Sequence, residues 1–308
     1  MDINEIVLHK NSRQQEVIDL CKKNNYFQRN DMISNILSVD WKKDTSDNCG
    51  VCLENSDGIV GFIGALNHEY DNRRIVNLSC GIIDESLRGK GHATSFFKFA
   101  FTLGDVVIDI SPTDQVKKMI TKHIEGIKGI TDYQLWIRPK KVKTELTILP
   151  ISNDNVEKEC PGLVDVICDN LKYQIKFFKF VEGTEECVIA IYDFNRFFIK
   201  GFEIIFCSNK PFLQKHIKEI IYLVNKKERA FVCFLDHLFV PELTFDGDVM
   251  PLGSNNKNYF KRIMKLFFSR KRYIKTANRR MYVVRDNKEY DFPYGYLYSE
   301  VVFYKSSF

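Results

Sequence analysis

The most informative segment of this 308-residue chain is Ile82-Ile83-Asp84-Glu85-Ser86-Leu87-Arg88-Gly89-Lys90-Gly91-His92-Ala93. An apolar β run ends at Ile83, a basic loop with two glycines follows, and a helix with a wide apolar face begins at His92. Such a loop turns consecutive backbone N–H groups into one concavity at the positive end of the helix, where phosphate groups bind. Glycine allows positive φ angles and a close approach of the ligand to the backbone. The segment therefore predicts a phosphate or pyrophosphate site.

Two familiar phosphate loops do not fit this segment. A Walker A loop needs glycine five residues before Gly89 and Ser or Thr after Lys90, but the chain has Asp84 and Gly91 there. A dinucleotide fingerprint needs a third glycine where Thr94 stands, and it opens the first βα unit rather than following several strands. The pattern that remains is R-x-x-G-x-A, which starts at Arg88.

With Arg88, Gly91 and Ala93 in place, residues 77–101 resemble the acyl-coenzyme A binding segment of the GNAT (GCN5-related N-acetyltransferase) superfamily. The predicted element order over residues 1 to about 138, β-α-α-β-β-β-α-β-α-β, is similar to that family's as well. In this order Ser12 caps the first helix, which continues to about Asn24, and a second helix covers 31–39. The polar connector Asn55-Ser56-Asp57-Gly58 predicts a hairpin between strands over 50–54 and 58–66, and 67–73 is a polar connection to the next strand.

The resemblance implies a mixed sheet in which the strand predicted over 74–83 splays from the strand predicted over 105–110. Coenzyme A would lie in the gap, and the N–H of Ile83 would hold the thioester carbonyl and stabilise the oxyanion. The residues that it implies for acyl-coenzyme A binding are Ile82, Ile83, Arg88, Gly89, Lys90, Gly91, His92 and Ala93.

The motif does not fix the general base. Asp84 ends the strand before the loop, and His68 and Glu69 follow the third strand of the family order, where they could reach an acceptor. Each of these residue types is also common in solvent-exposed loops. We take Asp84 and Glu69 as the two candidates for the general base.

The chain departs from the family pattern after the fifth strand. Many members have a tyrosine there that protonates the departing thiolate, whereas residues 111–121 contain none. Three explanations stay open: another group such as Tyr133 serves, the thiolate leaves unprotonated, or the domain binds the thioester without efficient turnover.

The predicted fold class is α/β, with a mixed-sheet GNAT-like domain over residues 1–140 followed by a second, α+β domain over 141–308. A polar break at Arg138-Pro139-Lys140-Lys141 separates them. Strand, helix, three strands, helix and strand then follow, which loosely repeats the first half without a residue-level repeat. The second domain is thus either a degenerate GNAT-like copy or an unrelated fold, and in both cases we expect it to support the acceptor site.

Composition limits the class of protein. Apolar residues make up 44% of the chain and charged residues 28%, which excludes disordered and low-complexity chains. No apolar run approaches the ~20 residues of a membrane span, and residues 1–5 lack the features of a secretory signal, so we expect a cytoplasmic protein. The nine cysteines predict reduced thiols. Cys49-x-x-Cys52 has no second pair to complete a zinc site, so we interpret the two cysteines as small apolar residues of a strand.

The function expected is acyl transfer, most simply of an acetyl group, from acetyl-coenzyme A or another acyl-coenzyme A to an amine of a small molecule, sugar or peptide. It would proceed through a direct ternary complex and need no metal. The alternative is a catalytically degenerate binding or regulatory module. Its amphipathic basic strip, residues 257–288, would contact nucleic acid or a membrane surface. A tandem GNAT-like peptidyltransferase using aminoacyl-tRNA ranks third.

Overall fold

The computed structural model describes residues 2–9, 12–24, 48–70, 72–110, 113–159, 175–196, 199–236, 249–250 and 273–284. The first strands and helices are β1 Asn4–His9, α1 Gln14–Lys23, β2 Asn48–Asn55, β3 Gly58–Tyr70, β4 Arg73–Ile83, a 3₁₀ turn Glu85–Leu87, α2 His92–Ala100, β5 Val106–Ile110, α3 Asp114–His123 and β6 Lys128–Ile137. The others are β7 Thr147–Ile151, a 3₁₀ turn Asn153–Asn155, α4 Val156–Glu159, β8 Ile175–Glu182, β9 Glu185–Arg196, β10 Ile199–Cys207, α5 Lys210–Glu228, β11 Val232–Asp236, β12 Val249–Met250 and β13 Tyr273–Val284.

The chain forms two compact units that are not contiguous halves. Among the described residues, the first unit extends to Ile130 and resumes at Arg279, and the second extends from Thr131 to Asn278. The domains predicted from the sequence, 1–140 and 141–308, therefore differ from the units at both β6 and β13. The difference arises because β13 pairs with β5 and β6 pairs with β11. These partners are far apart in the chain, so local sequence patterns could not predict the pairing.

The two units have the same strand arrangement. In the first, the order is β1-β2-β3-β4-β5-β13, and every pair is antiparallel except β4 and β5, which are parallel and joined through α2. In the second, the order is β7-β8-β9-β10-β11-β6, and the parallel pair is β10 and β11, joined through α5. Each unit thus takes its last strand from the other half of the chain. The structure is a mixed-sheet α/β protein, as predicted.

Helices pack on both faces of the first unit's sheet. Phe96 and Phe97 of α2 pack with Val76 and Leu78 of β4 on one face. On the other face, α1 contributes its apolar side to a cluster of Val17, Leu20, Cys21, Phe62 and Ile82. Both helices bury residues spaced three or four apart, as the sequence periodicity predicts. Burying each large side chain contributes about 1.5–3 kcal/mol.

Several predicted boundaries are wrong for identifiable reasons. The N-cap of α1 is Arg13 rather than Ser12, whose hydroxyl donates to the His9 carbonyl oxygen instead. Residues 67–73, predicted as a polar connector, belong mainly to β3 and β4. There Asn67 satisfies its side chain by donating to the carbonyl oxygens of Asn48 and Ala65, so a polar residue fits within the sheet.

The basic segment is also different from its prediction. The amphipathic pattern beginning at Tyr259 was expected to continue through Arg279–Tyr282, but residues 273–284 form the strand β13. β13 forms because it pairs with β5. β5 lies far away in the sequence, so the local pattern of residues 273–284 could not predict this strand. The predicted helix over 31–39 and the rest of the basic strip, residues 257–272 and 285–288, lie outside the described residues.

Candidate functional site

The β4–α2 loop, residues 84–91, has the conformation that its glycines predict. Gly89 and Gly91 have φ of 76° and 87°, and Gly91 is the N-cap of α2. A Cβ atom added at either glycine would meet no other atom within 4 Å, so the glycines are needed for the left-handed backbone rather than for space. The Arg88 Nε donates to the Ile83 carbonyl oxygen at 3.2 Å and braces the loop against the end of β4.

The loop leaves consecutive backbone donors open. The N–H groups of Arg88 and Thr94 donate to the carbonyl oxygens of Glu85 and Gly91. Within the described part of the chain, the N–H groups of residues 89–93 have no acceptor. The first turn of α2 has neither an acidic residue nor a side-chain cap, so the helix dipole acts on these donors uncompensated. This arrangement suits a diphosphate.

A β-bulge changes the direction of β4 just before the loop. The register with β3 moves from Gly64–Ser79 to Phe62–Ile82, so that Cys80 and Gly81 together oppose the single residue Ile63. Cys80 has φ of 54°, a conformation that is uncommon for a residue with a side chain. The bulge was not predicted from the sequence, which has no local signal for it.

β4 and β5 separate at this bulge. Their parallel pairing covers Ile75–Leu78 opposite Val106–Asp109, and in the described residues β4 continues from Ser79 to Ile83 paired with β3 alone. One edge of residues 79–83 is therefore left without a strand partner in that part of the chain. A ligand with amide groups could pair with such an edge as another strand would.

Asp84 is occupied by contacts that hold the loop. One carboxylate oxygen accepts from the N–H and hydroxyl of Ser86, at 3.0 and 2.7 Å, and the other accepts from Lys23 Nζ at 2.7 Å. These hydrogen bonds, with Lys23 contributing most, lower the pKa of Asp84 to about 2. A carboxylate so stabilised is a weak base at neutral pH, and its geometry is that of an N-cap for the 3₁₀ turn.

The other residues predicted to carry a proton are His68, Glu69 and Tyr133. His68 and Glu69 lie on β3 in register with Ile75 and Arg74, but their side chains are outside the described part of the structure. The same holds for the side chain of Tyr133. No geometry therefore connects these residues with the loop.

Asp109 is an acidic residue that sequence reasoning missed. It occupies the last paired position of β5, opposite Leu78, where β4 and β5 begin to separate, and it is only 9% exposed. Burial raises its pKa to about 7. One sequence feature could have identified Asp109: it is the only acidic residue within the apolar run Val106–Ile110. An acidic residue in a buried strand is unusual because ionised groups are costly to bury.

Comparison with solved structures identifies this arrangement. A proposed acetyltransferase of Pyrococcus horikoshii is 11% identical, matches 95% of this chain and 92% of its own, and superposes with a TM-score of 0.51. The chain has the GNAT fold. GCN5-related N-acetyltransferases of Kribbella flavida and Anabaena variabilis are 8% and 9% identical, with TM-scores of 0.53 and 0.52, over 92% of this chain and 73% of theirs. The sequence itself matches no family model and no curated protein.

The second unit has the strand order of the first unit without a glycine-containing loop between its parallel strand and the helix. Only Ser208 and Asn209 separate β10 from α5, and the Asn209 side chain accepts from the N–H of Phe212 at 3.1 Å. Pro211, in the first turn of α5, has no N–H to offer. A diphosphate would find few open donors there.

None of the helices in the described residues has the length and apolar character needed to cross a bilayer. The same residues contain no cluster of His, Cys, Asp and Glu side chains suited to a metal ion. Cys49 and Cys52 are buried in the cluster beside α1, which confirms the prediction that they are core residues of a strand.

Proposed function

We propose that this protein transfers an acyl group, most simply acetyl, from coenzyme A to an amine. The observation that supports the proposal is the run of open N–H donors at residues 89–93, directly beside the point where β4 and β5 separate. The described residues offer no observation that favours the alternative of a regulatory module binding nucleic acid or a membrane.

The diphosphate and the pantetheine arm of coenzyme A would both lie in the first unit. The diphosphate would accept hydrogen bonds from Gly89 to Ala93, with Arg88 and Lys90 adding positive charge. The pantetheine arm would run along the unpaired edge of β4, near Ile82 and Ile83. A backbone N–H on this edge would hold the thioester carbonyl oxygen, and its hydrogen bond strengthens as negative charge develops on that oxygen.

The chemistry needs positioning and the transfer of protons from the amine and to the thiolate. The amine attacks the thioester carbon, a C–N bond forms, the C–S bond breaks, and the proton lost by the amine balances the one taken up by the departing thiolate. Asp109, with a pKa of about 7, can both take up and release a proton near neutral pH. Asp109 pairs with Leu78 and lies on the face of the sheet that α2 covers, so we propose that it gives its proton to the departing thiolate. We do not propose Asp84 as a proton carrier, since its carboxylate is held by Ser86 and Lys23.

Calorimetry with acetyl-coenzyme A tests the proposal. Wild-type protein should bind it, and Gly91→Asp should abolish binding by placing a negative charge beside the diphosphate. Gly183→Asp is the matched control, because Gly183 also has positive φ, 60°, and open space around its Cα, but lies in the β8–β9 turn. Absence of binding at millimolar ligand, or equal binding by Gly91→Asp and wild type, would overturn the proposal.

A further inference from the structure

Asn77 carries a buried carboxamide that the fold does not use. The residue is 1% exposed, and neither Nδ2 nor Oδ1 has a hydrogen-bond partner among the described residues. Folded proteins pair more than about 90% of their buried polar groups, and a buried polar group without a partner destabilises the fold. Such a cost in the middle of a well-packed strand calls for an explanation outside the fold itself.

Asn67 shows what a structural asparagine looks like in the same sheet. It is 2% exposed, but its Nδ2 donates to the carbonyl oxygens of Asn48 and Ala65, and its Oδ1 accepts from Arg74. Both ends of that side chain are satisfied, so Asn67 stabilises the strands that it joins. Asn77 has the same burial and none of these contacts.

The position of Asn77 relates it to the proposed reaction. It lies opposite Ile108 in the parallel pairing of β4 and β5, one position before the two strands separate. Val76 and Leu78 face α2, so the alternation of the strand places Asn77 on the opposite face of the sheet, the face that α1 covers. The cofactor's diphosphate would lie at the N-terminus of α2, which leaves the α1 face for the acceptor.

The surroundings of Asn77 determine the chemistry that it can bind. Its neighbours Ile75 and Ile108 are buried and apolar, and Ser79, the next residue of β4 on this face, adds only a buried neutral hydroxyl. An ion would be poorly compensated there. The carboxamide offers donors on Nδ2 and an acceptor on Oδ1 side by side. The complementary group is neutral and both donates and accepts a hydrogen bond, as a hydroxyl or another carboxamide does.

We propose that the Asn77 carboxamide binds the acceptor substrate through such a neutral donor–acceptor group. The inference rests on the proposed acyl transfer and gives the acceptor a chemical class: an amine that carries a hydroxyl or a carboxamide near its nitrogen. Asn77 is a specificity residue in this account, because it holds the acceptor beside the thioester and takes no part in proton transfer.

Thermal unfolding of two matched variants tests whether the carboxamide is free. Asn77→Leu replaces an unpaired buried amide with an apolar side chain of similar size and should leave the melting temperature unchanged or raise it. Asn67→Leu removes satisfied hydrogen bonds and should lower it. A fall in melting temperature for Asn77→Leu as large as that for Asn67→Leu would show a structural role and overturn the proposal.

Acetylation assays test recognition of the acceptor. Thiol release from acetyl-coenzyme A is measured with glucosamine, which supplies hydroxyls, with glycinamide, which supplies a carboxamide, and with propylamine, which supplies neither. Wild type should prefer glucosamine or glycinamide over propylamine in kcat/KM by about tenfold or more, as expected for two buried hydrogen bonds. Asn77→Leu should lose this preference, mainly through a higher KM.

The outcomes separate this inference from the proposed function. If wild type does not bind acetyl-coenzyme A in calorimetry, the transferase proposal fails and the role of Asn77 fails with it. If it binds acetyl-coenzyme A but acetylates no member of the panel, or if Asn77→Leu keeps the wild-type preference, the role of Asn77 alone is overturned. Whether glucosamine or glycinamide is preferred identifies the hydroxyl or the carboxamide as the recognised group.

Discussion

The substitution Asp109→Asn should change how the stability of the protein depends on pH. Burial raises the pKa of Asp109 from 3.8 to about 7, so the folded protein keeps a proton that the unfolded chain releases between these values. The folded state therefore binds more protons than the unfolded state in this window. The free energy of unfolding must fall as the pH rises from about 4 to about 7, and this contribution is constant above it.

The size of the effect follows from the pKa difference. A difference of about 3 between the folded and unfolded values corresponds to about 4 kcal/mol, at 1.36 kcal/mol for each pKa unit. This is an upper estimate, because a buried carboxylate relaxes its surroundings when it ionises. It is still a large part of the 5–15 kcal/mol typical of a folded domain. Asparagine has nearly the same shape and does not ionise, so it should remove this pH dependence.

Urea unfolding at pH 5 and pH 8 measures the effect. Wild type should lose more stability between these pH values than Asp109→Asn, by up to about 2.5 kcal/mol, because the effect acts over the two pH units from 5 to about 7. Asp57→Asn is the control, since Asp57 is an exposed aspartate in the β2–β3 turn of the same unit, and it should behave as wild type does. Equal losses in wild type and Asp109→Asn would refute the assignment of a buried, protonated carboxyl at the end of β5.

Two further changes test the packing and the topology. Gly50→Ala should lower the free energy of unfolding by about 1–3 kcal/mol, because its Cβ would lie 2.5 Å from Phe62 Cε2 and 2.6 Å from the Ile63 carbonyl oxygen. Gly81→Ala, whose nearest contact is the end of the Phe97 ring at 3.3 Å, should cost less in the same denaturation assay. A fragment of residues 1–140 lacks the β13 residues that pair with β5, and it should show little protection in amide hydrogen exchange. A cooperatively folded, protected fragment would contradict the conclusion that the first unit needs β13 as its last strand.

The sequence predicted well what neighbouring residues decide. The β2–β3 hairpin, the loop from Asp84 to Gly91 and the start of α2 at His92 were all predicted from turn chemistry and helix periodicity. At Gly58, Gly89 and Gly91 the structure has the positive φ angles that these predictions require. These features depend on the backbone preferences of a few consecutive residues, which a single sequence records.

The features that the sequence did not show depend on distant partners. β13 is a strand because β5 lies beside it, and Asp109 has a raised pKa because the fold buries it. Asn77 and Asn67 are the same residue type in the same sheet, and only their partners differ. Register and three-dimensional contacts determine each of these properties, so local composition and periodicity could not predict them.

The two units have the same strand order but differ in the loop on which the proposed phosphate binding depends. Between β4 and α2, eight residues with two left-handed glycines, Gly89 and Gly91, turn the backbone so that the next N–H groups face outward. Between β10 and α5 there are only two residues, and the Asn209 side chain satisfies a first-turn donor that a ligand would need. The short connection is also the more stable helix start, because a side-chain cap contributes about 1 kcal/mol. The binding that we propose for the first unit therefore depends on a helix start without a side-chain cap, and a ligand with negative charge would restore the stability that a cap provides.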